Sequence, residues 1–259
     1  LSASRPFTHA FVRKISRSLA SCELTHLSRQ PFDLSLANWQ HDRYVEALQR
    51  AGLIVKILPE EPSLPDSSFV EDPVLMLEEG AILCRLGAPS RALEAELLQR
   101  EIADFRTVFK IEGQGTLEGG DILRVEKTLF VGRSGRTNAD GVAQLRSIVA
   151  PWGYRVVEVA VHGCLHLKTA VTSPAPGWLI ANSRWVDLAP FHDFEILPVP
   201  EREPWGANTL RLNDHVLVAA SAPETAKRLQ SKGLVVTTVD VSELQKAEAG
   251  LTCMSVLYS

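Results

Sequence analysis

Short apolar runs recur along the chain at near-equal intervals. They begin at Ile54-Val55-Lys56-Ile57, Val108-Phe109-Lys110-Ile111, Val156-Val157-Glu158-Val159, Glu195-Ile196-Leu197-Pro198 and Leu234-Val235-Val236. Each is followed, after a turn with Gly, Pro or Ser, by a polar cluster. The clusters are Glu71-Asp72-Pro73, Glu118-Gly119-Gly120-Asp121, His166-Leu167-Lys168-Thr169, Gly206-Ala207-Asn208 and Thr252-Cys253-Met254-Ser255. Successive clusters lie 47, 48, 42 and 45 positions apart, counted from Glu71 through Glu118, His166 and Asn208 to Cys253. A period of about 20 to 50 residues is the mark of repeated supersecondary units. After most clusters the pattern turns hairpin-like, as in Pro73-Val74-Leu75-Met76-Leu77, a Glu-Glu-Gly turn, then Ala81-Ile82-Leu83-Cys84.

Helical spacing closes most units. Residues 38–51 place Trp39, Tyr44, Val45 and Leu48 on one side, with Gly52 as a stop. Residues 90–105 carry Leu93, Leu97, Leu98, Ile102 and Phe105. Residues 137–149 open on a Thr-x-x-Asp cap, and 222–232 have Pro223 in the first turn and Gly233 after the end. The stretch 186–194 supports only a short, weak helix. Five units of strand, cluster, hairpin and helix suggest modules in a ring, with equivalent points facing one axis. On periodicity alone, a doubly wound α/β sheet with polar turns accounts for the pattern equally well.

Composition narrows the class. The 259 residues are 45% hydrophobic and 22% charged, values of an ordinary globular chain, and are read as one domain over 1–259. The net charge of −4 gives no reason to expect nucleic acid or an anionic membrane as partner. No apolar run approaches the roughly 18 to 20 residues of a membrane span. The chain opens at Leu1 without Met, which leaves a removed targeting segment open. Cys22, Cys84, Cys164 and Cys253 are widely spaced and lack CxxC pairing, so reduced cytoplasmic thiols are expected. His162-Gly163-Cys164-Leu165-His166 has the outline of a metal cluster, but no second ligand group accompanies it.

The clusters hold a coherent chemistry. Cys253 lies in a setting of Gly, Thr and Ser that allows close approach to a ligand, and His166 occupies a corresponding point of another module. A cysteine attacks as thiolate, and an imidazole shuttles its protons. Paired carboxylates match the planar fork of N–H groups on a guanidinium. A nucleophile, a base and carboxylates together point to attack on the carbon of a guanidinium or amidine. Taken singly, His166 reads more readily as a core histidine, and Glu71 with Asp72 as solvent-facing acids.

The motifs together resemble a family. Pro65-Asp66-Ser67-Ser68-Phe69-Val70-Glu71-Asp72-Pro73, Gly115-Thr116-Leu117-Glu118-Gly119-Gly120-Asp121, Leu165-His166-Leu167-Lys168-Thr169 and Leu251-Thr252-Cys253-Met254-Ser255 are similar to the motifs of the dimethylarginine dimethylaminohydrolases, of the amidinotransferase superfamily. Residues 85–91 and 132–138 add two further matches, in order, so the resemblance covers nearly the whole chain. It implies a five-bladed α/β propeller of ββαβ-type modules around a central active site. It also implies hydrolysis of a methylated arginine to citrulline and a methylamine, with no metal and no organic cofactor. Carried over by position, Cys253 is the nucleophile that forms a thiouronium, and His166 protonates the departing amine and then activates water. Glu118 and Asp72 bind the guanidinium, Arg85 and Arg136 the α-carboxylate, and Asp66 the α-amino group; Glu71 and Asp121 support them. The two arginines should lie at the opposite end of the pocket from the acids. A small-molecule substrate is implied, with a homodimer allowed.

Related activities share this residue set. Arginine deiminases and amidinotransferases are the alternatives, and a silent arginine-derivative-binding protein is the non-enzymatic one. The two candidate carboxylate-binding arginines favour an amino-acid substrate over agmatine. The chain departs from the family at Ala247, where a larger aliphatic residue is common, and around residues 21–24, where the family has a lid.

Overall fold

The computed structural model describes residues 6–259. The chain begins with strand β1 (His9–Arg13), helix α1 (Leu34–Arg50) and strand β2 (Ile54–Leu58). The hairpin β3 (Val74–Met76) and β4 (Ala81–Leu83) is followed by α2 (Leu93–Ile102) and β5 (Val108–Lys110). The next unit is β6 (Ile122–Val125), β7 (Thr128–Arg133), α3 (Ala139–Val149) and β8 (Arg155–Ala160). A single turn, α4 (Leu167–Ala170), leads into β9 (Val171–Ala175), β10 (Trp178–Ala181) and β11 (Glu195–Pro198). Then come β12 (Leu210–Leu212), β13 (His215–Ala219), α5 (Pro223–Ser231), β14 (Val235–Val239), α6 (Ser242–Gln245) and β15 (Val256–Tyr258).

These strands form five three-stranded sheets, β15-β1-β2, β3-β4-β5, β6-β7-β8, β9-β10-β11 and β12-β13-β14. In each, the middle strand is antiparallel to the first and parallel to the third. The parallel pair requires a crossover, and a helix supplies it in four blades. In the fourth, a short 3₁₀ turn (Ala189–Phe191) does so, at the stretch where the sequence supports only a weak helix.

The blades close into a ring. Five buried apolar clusters each draw on two neighbouring blades, so that every blade shares one core with the next. One joins β1 and α1 to β12 and β13; another joins β4 to β6, β7 and α3. First strands meet one another, β15 against β3, β6 against β9 and β9 against β12. The molecule is a five-bladed α/β propeller, and the doubly wound alternative is excluded.

The apolar runs take a definite place in the blades, and two helix starts are corrected. The recurrent apolar runs are the outermost strands β2, β5, β8, β11 and β14; Ile54, Ile57 and Val235 are exposed, while the middle strands are buried. Helix α1 starts four residues before the expected Asn38, because the Asp33 carboxylate accepts from the Leu36 N–H and caps it. Helix α3 is capped by Asn138, whose Oδ1 accepts from Gly141 N–H; Thr137 turns inward instead, to Asp121.

Candidate active site

Each polar cluster immediately precedes the first strand of a blade. Glu71 and Asp72 stand before β3, residues 118–121 before β6, His166 before β9, Asn208 before β12 and Cys253 before β15. Since first strands meet at the centre, residues some 45 positions apart in sequence arrive side by side. The two glycines after Glu118 are a condition of this packing. A Cβ on Gly119 would lie 2.0 Å from the Glu71 carbonyl oxygen, and one on Gly120 would lie 2.6 Å from His166 Nδ1.

Around His166 the acids form a closed network. His166 Nε2 donates to Glu118 Oε2 at 2.6 Å, and Nδ1 lies 3.8 Å from Asp72 Oδ1. Glu118 is held from its other oxygen by the Gly87 N–H at 2.9 Å. Asp121 accepts from Ser134 Oγ at 2.5 Å, Thr137 Oγ1 at 2.7 Å and the Leu167 N–H at 2.9 Å, which fixes the turn that carries the imidazole. Burial opposes a charged imidazole, but Asp72, the Glu118 hydrogen bond and Asp121 outweigh it and raise His166 to about 9. Burial likewise disfavours ionised Glu118, yet the His166 contact, with Arg91 and Arg136 nearby, lowers it to about 2. At neutral pH the pair is imidazolium and carboxylate. Asp72, Glu118 and His166 place one ligand-type atom each within 4.8 Å of one another, and a cation there would have to displace the imidazolium proton.

Cys253 has the opposite character. Its side chain is buried, with the Gly250 N–H 3.3 Å from Sγ. Burial, then Glu71 and Asp72, push the thiol up to about 12. Its backbone is fixed by the Glu71 N–H, which donates to the Cys253 carbonyl at 3.2 Å, and by the flanking residues. Asn208 Oδ1 accepts from Thr252 N–H at 3.2 Å, and Tyr44 Oη donates to the Leu251 carbonyl at 2.9 Å. Glu71 also pairs with Lys168, in the turn after His166.

Cys253 and His166 line one narrow pocket with Asp66, Asp72, Arg136, Phe69, Ala247 and Glu248. Glu118 stands behind His166 and is itself fully buried. Glu23, from the expected lid, borders the same pocket, and its N–H donates to Asp66 Oδ2 at 3.1 Å. Ala247 forms part of the wall.

Arg85 is not brought to this site. It is exposed and lines a separate surface cavity with Lys110 and Glu96. The second guanidinium of the pocket belongs to Arg91, at the other end of the same sequence motif. The 3₁₀ turn Pro89–Arg91 swings it inward, where it bonds Asp72 at 2.9 Å and Glu94 at 2.8 Å. The expected separation of arginines from acids is also absent. Arg91 touches Asp72, and Arg136 Nη1 lies 3.5 Å from Glu118 Oε1 without hydrogen-bond geometry, leaving that buried nitrogen with no acceptor among the described residues. Sequence reasoning missed Arg91, although residues 85–91 carried the signal, and missed Glu248, for which no motif existed.

The profile of a family described as N,N dimethylarginine dimethylhydrolase, eukaryotic, matches residues 29–171. An N(G),N(G)-dimethylarginine dimethylaminohydrolase of Streptomyces coelicolor is 41% identical over 253 residues, 97% of this chain and 97% of that protein. The chain belongs to the dimethylarginine dimethylaminohydrolase family. A second dimethylarginine dimethylaminohydrolase, from Pseudomonas aeruginosa, is 36% identical over 255 residues, 97% of this chain and all of that one. A solved structure of the Pseudomonas aeruginosa protein, a cysteine-to-serine variant complexed with citrulline, has the same fold. It matches with a TM-score of 0.94 at 35% identity, covering 98% of this chain and 100% of that one.

Proposed function

We propose that this chain hydrolyses N-omega-methylated arginine to citrulline and methylamine or dimethylamine. The observation that carries the reading is the convergence of Cys253 with an imidazolium at His166, backed by Glu118, in one pocket that also holds Asp72 and Arg136. The family membership and the citrulline complex of the Pseudomonas aeruginosa relative support it.

The charges set the order of events. A thiol near 12 is protonated at neutral pH and does not attack. A substrate guanidinium brought against Asp72, with Glu118 behind His166, places a positive charge beside Sγ and lowers that value. The thiol gives up its proton to solvent as the cation binds, and the thiolate adds to the guanidinium carbon. His166 gives its proton to the leaving methylamine nitrogen, the C–N bond breaks, and a thiouronium on Cys253 remains. Neutral His166 next takes a proton from water, whose oxygen adds to the same carbon. The C–S bond breaks with its electron pair passing to Sγ, the added hydroxyl gives its proton to Sγ and restores the thiol, and citrulline and the amine leave. Asp66, in the pocket wall, keeps the part of binding the substrate α-amino group, and Glu71, on the Lys168 side, and Asp121, beneath His166, keep supporting roles.

Arg91 and Arg136 each contact an acid that the substrate guanidinium would need. A ligand with both a guanidinium and a carboxylate exchanges partners with them and leaves no buried charge alone. Agmatine has no carboxylate and strands Arg136, whereas Arg91 keeps Glu94. All four thiols are unpaired, in keeping with a cytoplasmic setting. The test is to incubate the protein with asymmetric dimethylarginine, monomethylarginine, arginine and agmatine and to measure citrulline and amine. Citrulline with dimethylamine or methylamine is expected. Faster release of ammonia from arginine would make the chain a deiminase and sink this reading.

A further inference from the structure

We propose that Glu248 is a positioning residue that latches residues 25–27 over the pocket and ties this lid to the loop carrying the nucleophile. The inference rests on the hydrolase reading above for its kinetic arm only. Glu248 is 3% exposed, and its carboxylate gathers three consecutive backbone N–H groups from a segment more than 220 positions away. Oε2 accepts from Thr25 at 3.0 Å, and Oε1 accepts from Leu27 at 2.5 Å and from His26. Successive amides aimed at one anion make a strong, directional contact.

The backbone at this position makes the residue choice informative. Helix α6 ends in a Schellman arrangement, in which the Ala249 N–H reaches the Leu244 carbonyl at 3.3 Å and the Glu248 N–H reaches Gln245 at 3.1 Å. Glu248 therefore occupies the left-handed position after the helix, with φ +58°. Glycine takes this conformation freely and glutamate only at a cost. Helix termination alone would be better served by glycine, so what glutamate adds is the carboxylate.

Both ends of the latch reach the chemistry. Ala247, Glu248 and Ala249 wall the pocket, and two residues after Glu248 comes Gly250, whose N–H contacts Cys253 Sγ. On the lid side, Glu23 N–H bonds Asp66, and Thr25 Oγ1 accepts from Arg136 Nη2 at 3.2 Å. With the carboxylate in place the lid backbone is ordered before substrate arrives. Without it, the substrate must bear that ordering, and apparent affinity falls by the fraction of molecules that are closed.

The experiment uses the whole chain with Glu248→Gly and Glu248→Gln. Glu248→Gly keeps the left-handed backbone and removes only the latch. Amide hydrogen exchange over residues 25–27 should accelerate strongly, while the thermal midpoint holds or rises. KM for methylarginine should climb by about tenfold, with kcat within about threefold. Glu248→Gln, which retains one acceptor oxygen, should fall between. Unchanged exchange over residues 25–27 with KM within about twofold would overturn the proposal. So would a parallel loss of Tm, kcat and affinity in both variants, the signature of plain misfolding. Exchange is measured without substrate, so failure of the latch is distinguishable from failure of the hydrolase reading.

Discussion

Two sides of one pocket respond oppositely to the same burial. On the His166 side, three carboxylates overcome desolvation and hold an imidazolium up to about 9. On the Cys253 side, burial and two of the neighbouring acids act in the same direction and hold the thiol near 12. A carboxylate beside a cation-forming group prepares it, whereas beside an anion-forming group it suppresses it. In the mechanism proposed above, the acid is thus ready at rest and the thiol waits for a cation. An idle thiol kept protonated is also protected from oxidation and stray alkylation.

The largest test of this contrast removes the thiol. Cys253→Ser should lower turnover by several powers of ten, since a hydroxyl ionises far less readily. Iodoacetamide labelling followed by mass spectrometry should show Cys253 reacting faster once a non-hydrolysable amidine fills the pocket. No change in labelling with the cation bound would break the idea that substrate activates the thiol.

A smaller effect is expected from Glu118→Gln, which removes the charge bonded to His166. Turnover should fall on the order of 100-fold, within the range of acid–base contributions. The NMR titration of the His166 ring should move down from about 9. Stability gives a second readout with a definite sign. His166 is raised above its ordinary 6.5, so its contribution is whole below that pH and is lost as pH rises through about 9. Glu118 is lowered from 4.5, so its contribution is whole above 4.5 and is lost as pH falls through about 2. The thermal midpoint should drop between pH 6.5 and 9 in the parent and lose much of that slope in Glu118→Gln. A ring value that stays near 9 would mean that Asp72 and Asp121 suffice.

The smallest effect separates two arginines. Arg136→Ala should raise KM by about tenfold through loss of a charge-assisted contact, with kcat less affected. Arg85→Ala should leave both within about twofold, as for an exposed side chain away from the site. A KM increase for Arg85→Ala equal to that for Arg136→Ala would restore the sequence assignment.

That contrast also marks how far the sequence could be read. The clusters before each first strand were legible because five blades repeat one plan, and their glycines and acids cannot be exchanged without steric or charge penalties. The outer strands were legible as strands but not as outer, since β-branched runs announce extension and say nothing about which neighbour covers them. Arg85 and Arg91 share one motif, and only the direction of a 3₁₀ turn decides which enters the pocket. Thr137 and Asn138 are both good caps, and the choice fell to Asn138 because buried Asp121 needs the Thr137 hydroxyl. Glu248 was illegible because its partners lie more than 220 positions upstream and are backbone amides, which every sequence contains.

Strand β15 pairs with β1, His9 standing opposite Tyr258, and Cys253 sits in the turn just before it. During synthesis the ribosome releases the other sheets in order, but the first sheet keeps an uncovered edge on β1 until almost the last residues described emerge. Cys253 reaches the centre on the same stroke that seals the ring. A nascent chain of this design holds His166 with Asp72, Glu118 and Asp121 some 87 positions before Cys253 is made, yet does not gather the full cluster until the circle is shut.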